Sequence, residues 1–218
     1  MTPEQIWQAV ATERTTLGEL LRTLSEDQWN HPSLCAGWRV RDVVAHIVLS
    51  GNPSASTILL ELVRARGNLH GMIRDTAIRH ARNTTTAQLL DQLRDGATLR
   101  KTVLGTTPAD RLMDLLVHGQ DIAMPLGIRR EMHTAATRVA LERVWTADTF
   151  RSREKFAGYR LVATDADWSA GDGRIVEAPA AALLLLLGGR PGFELPVICA
   201  MPPGEGGSWP GDIDIIGS

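Results

Sequence analysis

Cysteine is scarce in this chain. Cys35 and Cys199 are the only two, which allows one disulfide at most and no disulfide framework. Two reduced thiols in a cytoplasmic protein are the expectation. Lysine is nearly absent, since all of the 23 basic residues except Lys101 and Lys155 are arginine. An excess of charge is missing as well: 23 Lys+Arg stand against 25 Asp+Glu, for a net of -2. Neither nucleic acid nor an anionic membrane surface would find an electrostatic footprint here. The longest apolar run, Ala178 to Leu187, contains Pro179 and is too short to cross a bilayer. Met1-Thr2-Pro3-Glu4-Gln5 lacks the basic and apolar regions of a signal peptide, so none is expected. No repeat of solenoid period is visible.

What is present suits a globular protein. The 218 residues are 44% hydrophobic and 22% charged, enough to bury a core in one large domain or two small ones. Thr2, Pro3 and Gln5 form a capping-box pattern that opens a helix running to about Leu24. Ser25 and Gln28 repeat the pattern for a short turn ending near Trp29. Asn30 to Gly37 reads as an ordered loop. Val40, Val43, Val44, Ile47 and Val48 recur at helical spacing over Trp38 to Ser50, and Gly51-Asn52-Pro53 stops that helix. Further helices are predicted over Ser54 to Arg66, Leu69 to Arg82, Thr86 to about Leu104, and Thr134 to Phe150. This pattern of helices and short connections is that of a helix bundle. After Phe150 the character changes. Strands are predicted at Tyr159 to Thr164, Arg174 to Glu177 and Leu195 to Ala200, with a turn over Asp165 to Gly173. A compact helix is expected over Ala178 to Leu187 and an irregular Gly/Pro tail from Met201. The predicted fold class is α+β, with a helix bundle over 1–150 and a small α/β domain over 151–218.

The remaining helix carries the candidate chemistry. Thr107, Pro108 and Asp110 start it and Pro125 ends it. At roughly 100° per residue, Leu112, Leu115, Leu116 and Ile122 form one apolar stripe, and Asp114, His118 and Asp121 share an arc of roughly 60° beside it. The i, i+4 step sets a carboxylate and an imidazole on adjacent turns. A third donor would complete a site for a divalent metal, and His46, on another long helix, is the candidate. Two imidazoles and one carboxylate leave positions open for water or substrate, as a catalytic zinc requires. The same spacing also suits a surface ion pair, and His46 also suits a hydrogen-bonded core histidine. Asp121 could pair with Arg111 or face solvent. Arg190, at the Gly188-Gly189 turn, could bind a carboxylate or be an ordinary surface arginine. Cys35 has no adjacent base in sequence and is expected to pack within its loop. His31, His70, His80 and His133 are read as solvated. Gly204-Glu205-Gly206-Gly207 lacks the context of a phosphate loop.

Pro32-Ser33-Leu34-Cys35-Ala36-Gly37-Trp38-Arg39-Val40-Arg41-Asp42-Val43-Val44-Ala45-His46 resembles the opening motif of the mycothiol-dependent maleylpyruvate isomerase family. That family belongs to the DinB-like metal-binding four-helix bundles. Asp114 to Gly127 is similar to its second metal motif, and Leu161 to Trp168 through Leu183 to Arg190 is similar to its C-terminal domain. The resemblance covers nearly the whole chain. It implies a DinB-like up-down four-helix bundle in which His46, Asp114 and His118 hold a divalent metal, zinc by preference, with Asp121 orienting a ligand imidazole. The family generally has Glu where this chain has the shorter Asp114. The resemblance further implies mycothiol as cosubstrate, and the arginine bias fits an actinobacterial source. The implied activity is attack by a metal-activated thiolate on a small electrophile, in an isomerase or thiol transferase. Two other readings share the scaffold: a thiol-independent metal hydrolase, and a non-catalytic binding or stress-response protein. The expected partners are a small-molecule substrate and a low-molecular-weight thiol, with no nucleic acid and no membrane, in a cytoplasmic monomer or homodimer.

Overall fold

The computed structural model describes residues 1–51, 69–102 and 105–190. Within them the chain is rich in helix and carries one three-stranded sheet, an α+β architecture. It divides into two compact units, Met1–Glu131 and Met132–Ser218. The change of character in the sequence lies near residue 151, whereas this division groups the preceding helix with the second unit.

The first unit begins with α1 (Pro3–Arg22), where Thr2 Oγ1 accepts from the Gln5 amide and Gln5 Oε1 accepts from the Thr2 amide. Ser25 and Gln28 repeat the reciprocal cap at α2 (Glu26–Asn30). Then come α3 (Val40–Gly51), α4 (Leu69–Arg82), α5 (Thr86–Asp95) and α6 (Pro108–Ala123). Thr107 and Asp110 cap α6 with Pro108 in its first turn, and a 3-10 turn over Met124–Leu126 takes in Pro125. α1 packs on α5 and α6, while α3 packs on α4, α5 and α6. The stripes read from periodicity form this core: Val10, Leu17 and Leu21 of α1, Val40, Val43, Val44 and Ile47 of α3, and Leu112, Leu115, Leu116 and Ile122 of α6 are buried.

α5 starts where the sequence places it but ends early. Its N-cap is Thr85, paired with Gln88, and it stops at Asp95 rather than near Leu104. The early stop has a tertiary cause. Arg14 of α1, only 2% exposed, donates from Nη1 to the carbonyls of Gly96 (2.9 Å), Ala97 (3.3 Å) and Leu99 (2.8 Å). A buried guanidinium thus captures the carbonyls that a further helical turn would have used.

In the second unit, α7 (Thr134–Thr146) ends at Ala147, which has an extended backbone, and a 3-10 turn over Asp148–Phe150 replaces the predicted continuation. α8 (Ser152–Lys155) follows. β1 (Tyr159–Ala163), β2 (Ser169–Ala170) and β3 (Arg174–Ala178) form a sheet of order β2-β1-β3. β1 pairs parallel with β3, Tyr159 opposite Arg174, and antiparallel with β2, Leu161 opposite Ala170. β2 falls inside the segment predicted as a turn, because two residues are too few to show alternation. Gly171 and Gly173 cross close under β1: a Cβ there would lie 2.3 Å from the Tyr159 carbonyl oxygen and 2.2 Å from that of Gly158. α9 (Ala180–Leu187) starts two residues later than predicted, where Asp165 Oδ1 accepts from the Ala180 amide at 2.7 Å. It packs on α7 and β1, and its Leu183 and Leu184 are fully buried. The helix predicted over Ser54 to Arg66, the strand over Leu195 to Ala200, Cys199 and the tail from Met201 lie outside the described residues. Among the described residues no helix is long and apolar enough to cross a membrane.

Candidate metal centre

α3 and α6 face each other in the first unit, and their polar edges meet. His46 Nε2 of α3 lies 3.4 Å from Asp114 Oδ1 of α6. One turn further along α6, His118 Nε2 lies 3.3 Å from the same oxygen. The two imidazole centroids are 4.9 Å apart, and one donor atom from each of the three residues fits within 4.8 Å of the others. Asp42, the carboxylate nearest His46 in sequence, is engaged elsewhere: Arg39 binds both of its oxygens and it caps the start of α3.

The surrounding groups give each donor a fixed orientation. Asp114 Oδ2 accepts from Arg111 Nη1 at 3.0 Å, and Arg111 is itself tied to the Ser50 hydroxyl at 2.6 Å. One carboxylate oxygen is therefore held by the protein and the other is presented to the imidazoles. On the far side of His118, Nδ1 lies 2.8 Å from Oδ2 of the fully buried Asp121. An ionised carboxylate only accepts, so Nδ1 carries a proton, and a ring that loses its other proton presents the Nε2 lone pair.

The loop between α2 and α3 closes the site. Its ends are joined by a bridge between Pro32 and Arg39, and the Leu34 amide donates to the Asp121 carbonyl at 3.1 Å. This places the Cys35 thiol 3.1 Å from Asp121 Oδ2 and 3.7 Å from His118 Nδ1. Trp38 stacks on His118 with centroids 6.4 Å apart, and meets His46 edge-on at 5.5 Å.

The electrostatics follow from this crowding. Burial by itself lowers the pKa of His118, but the Asp114 charge and hydrogen bonds to Asp114, Asp121 and Cys35 reverse the sign and hold it well above the ordinary imidazole value. Burial works to raise that of Asp114, and the neighbouring His46 and His118 instead bring it well below the usual carboxylate range. Such opposed shifts mark an imidazolium–carboxylate pair, in which a proton on His118 Nε2 meets Asp114 Oδ1 in the metal-free protein. When that proton leaves, the Nε2 lone pair and Asp114 Oδ1 face each other across a position that suits a cation. Two imidazole nitrogens and one carboxylate oxygen are a donor set suited to zinc and similar divalent ions. The residues present fit a metal.

The structure therefore brings His46, Asp114, His118 and Asp121 together. Arg111 belongs to Asp114 rather than to Asp121. Arg190 lies in the second unit, where Nη1 donates to the Gly188 carbonyl at 2.6 Å. His31 lies 2.8 Å from the Pro32 carbonyl and His80 lies 2.8 Å from Gln92 Oε1, both outside the cluster. The part played by Cys35, Trp38, Arg111 and Ser50 was missed in the sequence. The run Cys35 to Trp38 just ahead of a histidine-bearing helix was the available signal.

A family model described as the mycothiol maleylpyruvate isomerase N-terminal domain matches residues 10–123. The chain belongs to this family. The matched stretch contains all four residues of the cluster. Two solved structures similar to the chain are the mycothiol-dependent maleylpyruvate isomerase and a histidine-to-alanine mutant of it. Each is 14% identical and aligns over 93% of this chain and 95% of the other, with TM-scores of 0.59 and 0.61. At that identity the likeness is one of fold. No curated protein matches the chain in sequence.

Proposed function

We propose that this member of the mycothiol maleylpyruvate isomerase family is a metal-dependent, mycothiol-using enzyme of the isomerase or thiol-transferase type. Its reading rests on one observation: His46 Nε2 and His118 Nε2 both converge on Asp114 Oδ1 while Asp121 holds the far side of His118. On this reading the first unit is a DinB-like up-down four-helix bundle. His46, Asp114 and His118 would hold a divalent ion, zinc by donor chemistry. The ion, when bound, supplies Lewis acidity that lowers the pKa of a coordinating thiol.

The remaining work falls to the chain. Asp121 keeps the Nδ1 proton of His118 in place, so the ring presents Nε2. Arg111 and Ser50 fix the Asp114 carboxylate, which offsets its shorter reach relative to glutamate by removing rotational freedom. Trp38 covers both imidazoles and excludes water from one side, which strengthens the electrostatics inside. A thiolate held there would add to the double bond of a small unsaturated acid, or displace a leaving group from an electrophile. No protein nucleophile is required.

The test is metal content by elemental mass spectrometry on wild type, His46→Ala and His118→Ala, with turnover of maleylpyruvate assayed with and without mycothiol. Near-stoichiometric metal lost in both variants, and turnover only with thiol, are expected. Wild-type protein that stays metal-free after zinc is supplied would overturn the reading in favour of a binding protein. Turnover of a hydrolysable substrate without any thiol would replace it with a metal hydrolase.

A further inference from the structure

Cys35 lies at the Nδ1 edge of His118, 3.7 Å from that nitrogen, whereas Nε2 turns to Asp114. The loop before α3 holds it there through backbone bonds that do not involve the thiol. The Ser33 amide donates to the Trp38 carbonyl at 2.8 Å, the Trp38 amide to the Cys35 carbonyl at 3.0 Å, and the Leu34 amide to the Asp121 carbonyl at 3.1 Å. The ring thus separates the thiol from the metal position, so Cys35 is neither a ligand of that ion nor a nucleophile beside it.

Its bond to Asp121 is what bears on the site. Oδ2 of this fully buried carboxylate accepts from the thiol at 3.1 Å and from His118 Nδ1 at 2.8 Å. Nδ1 carries a proton and cannot accept, so the thiol hydrogen is directed to Oδ2 rather than to the ring. Two donors therefore share one oxygen, and the charge drawn by the thiol is withheld from Nδ1–H. The sulfur also faces Nδ1–H as an acceptor, but at 3.7 Å that contact is long, and the shorter bond to a charged group outweighs it. A carboxylate behind a ligand histidine raises its basicity. We propose that Cys35 is a positioning residue that moderates this effect: through Asp121 it lowers the electron density His118 Nε2 gives to a bound ion, which stays a stronger Lewis acid toward a coordinating thiol. The proposal rests on the metal-dependent reading above.

The test measures zinc affinity by competition with a chelating dye on wild type, Cys35→Ala and Cys35→Ser, each with and without Asp121→Asn. Cys35→Ala should bind zinc tighter by about threefold or more, a fraction of the roughly 10–100-fold that a whole outer partner carries, with kcat on mycothiol lowered. Cys35→Ser keeps a donor and should match wild type. In Asp121→Asn the change to alanine should bring no gain, so the double-mutant cycle reports the pair. The Nδ1 proton of His118, followed by nuclear magnetic resonance in metal-free and zinc-loaded protein, should move downfield in Cys35→Ala and stay in place in Cys35→Ser. A thiol that only fills space would give weaker or unchanged zinc binding in Cys35→Ala, and that result overturns the proposal. So does an equal gain in Cys35→Ser, a gain that survives Asp121→Asn, or an unaltered kcat. If wild type binds no zinc, the metal-dependent reading fails by itself. The metal-free Nδ1 proton then decides whether Cys35 acts on His118 through Asp121: a downfield shift in Cys35→Ala supports that action and an unmoved resonance overturns it.

Discussion

Among the described residues, the first unit buries Glu13, Arg14, Asp42, Arg111 and Asp121, whereas the second buries no charged side chain and only Thr137 and Ser152 as polar ones. The second unit is held by Leu141, Leu161, Val176, Leu183 and Leu184, side chains that need no partner. Four of these buried charges have a charged partner: Glu13 meets Arg130, Asp42 meets Arg39, Arg111 meets Asp114, and Asp121 meets His118; Arg14 instead bonds to the carbonyls of Gly96, Ala97 and Leu99. Apolar residues of similar volume would serve stability as well or better. Stability alone therefore does not account for the charged interior. For Arg111 and Asp121, their place beside the cluster of α3 and α6 does, because donors must be held in fixed orientation where they face one another.

Substitutions can separate the two kinds of interior. The largest contrast is between His118→Ala and Leu183→Ala. His118→Ala should abolish turnover and strip the metal while leaving the far-ultraviolet circular dichroism intact. Leu183→Ala should cost about 2–5 kcal/mol in denaturant unfolding while leaving the metal content of folded protein unchanged. If both variants lose metal equally, the distinction between the units fails. Next in size is Asp121→Asn, which keeps shape but weakens the grip on His118 Nδ1. It should lower metal affinity by about 10–100-fold, read by competition with a chelating dye.

A pH series sharpens the comparison further. In metal-free protein the raised pKa of His118 contributes stability that is complete below its unfolded value, about 6.5, and is lost as pH rises through the folded one. The depressed pKa of Asp114 contributes stability above its unfolded value that is lost as pH falls through the folded one. Metal-free Tm should therefore decline from about pH 6.5 upward. Zinc competes with the His118 proton, so the stabilisation it adds should grow over the same window. Tm measured with chelator and with zinc would show the two slopes diverging, and parallel slopes would remove His118 from the site. The smallest effect belongs to the surface. Arg100→Ala breaks an exposed pair with Glu4 and should leave Tm unchanged, as exposed ion pairs generally do.

The helical frame was legible because caps and stripes are local signals. Thr2 with Gln5, Ser25 with Gln28, and Thr107 with Asp110 mark helix starts within four residues of sequence. The angular grouping of Asp114, His118 and Asp121 follows from helix geometry alone. His46 was named because bundles build sites from side chains of neighbouring helices, and the family resemblance named it again. What the sequence hid is what distant segments do to one another. Arg14 ends α5 from another helix, Arg111 turns to Ser50 and Asp114 rather than to Asp121, and the loop before α3 lays Cys35 on Asp121. Cys35 has no base beside it in sequence, yet it has an imidazole and a carboxylate beside it in space. Loops carry no periodicity, so nothing in their composition reports where they land.

The three bonds from Arg14 also bear on the order of folding. They join positions separated by 82, 83 and 85 residues, so the loop between them must close before the guanidinium can engage. That closure restricts the chain well before any bond compensates for it. α1 should accordingly dock late, after α5 has formed, and the amide protons of its buried face should exchange together with those at the end of α5 in a single cooperative opening.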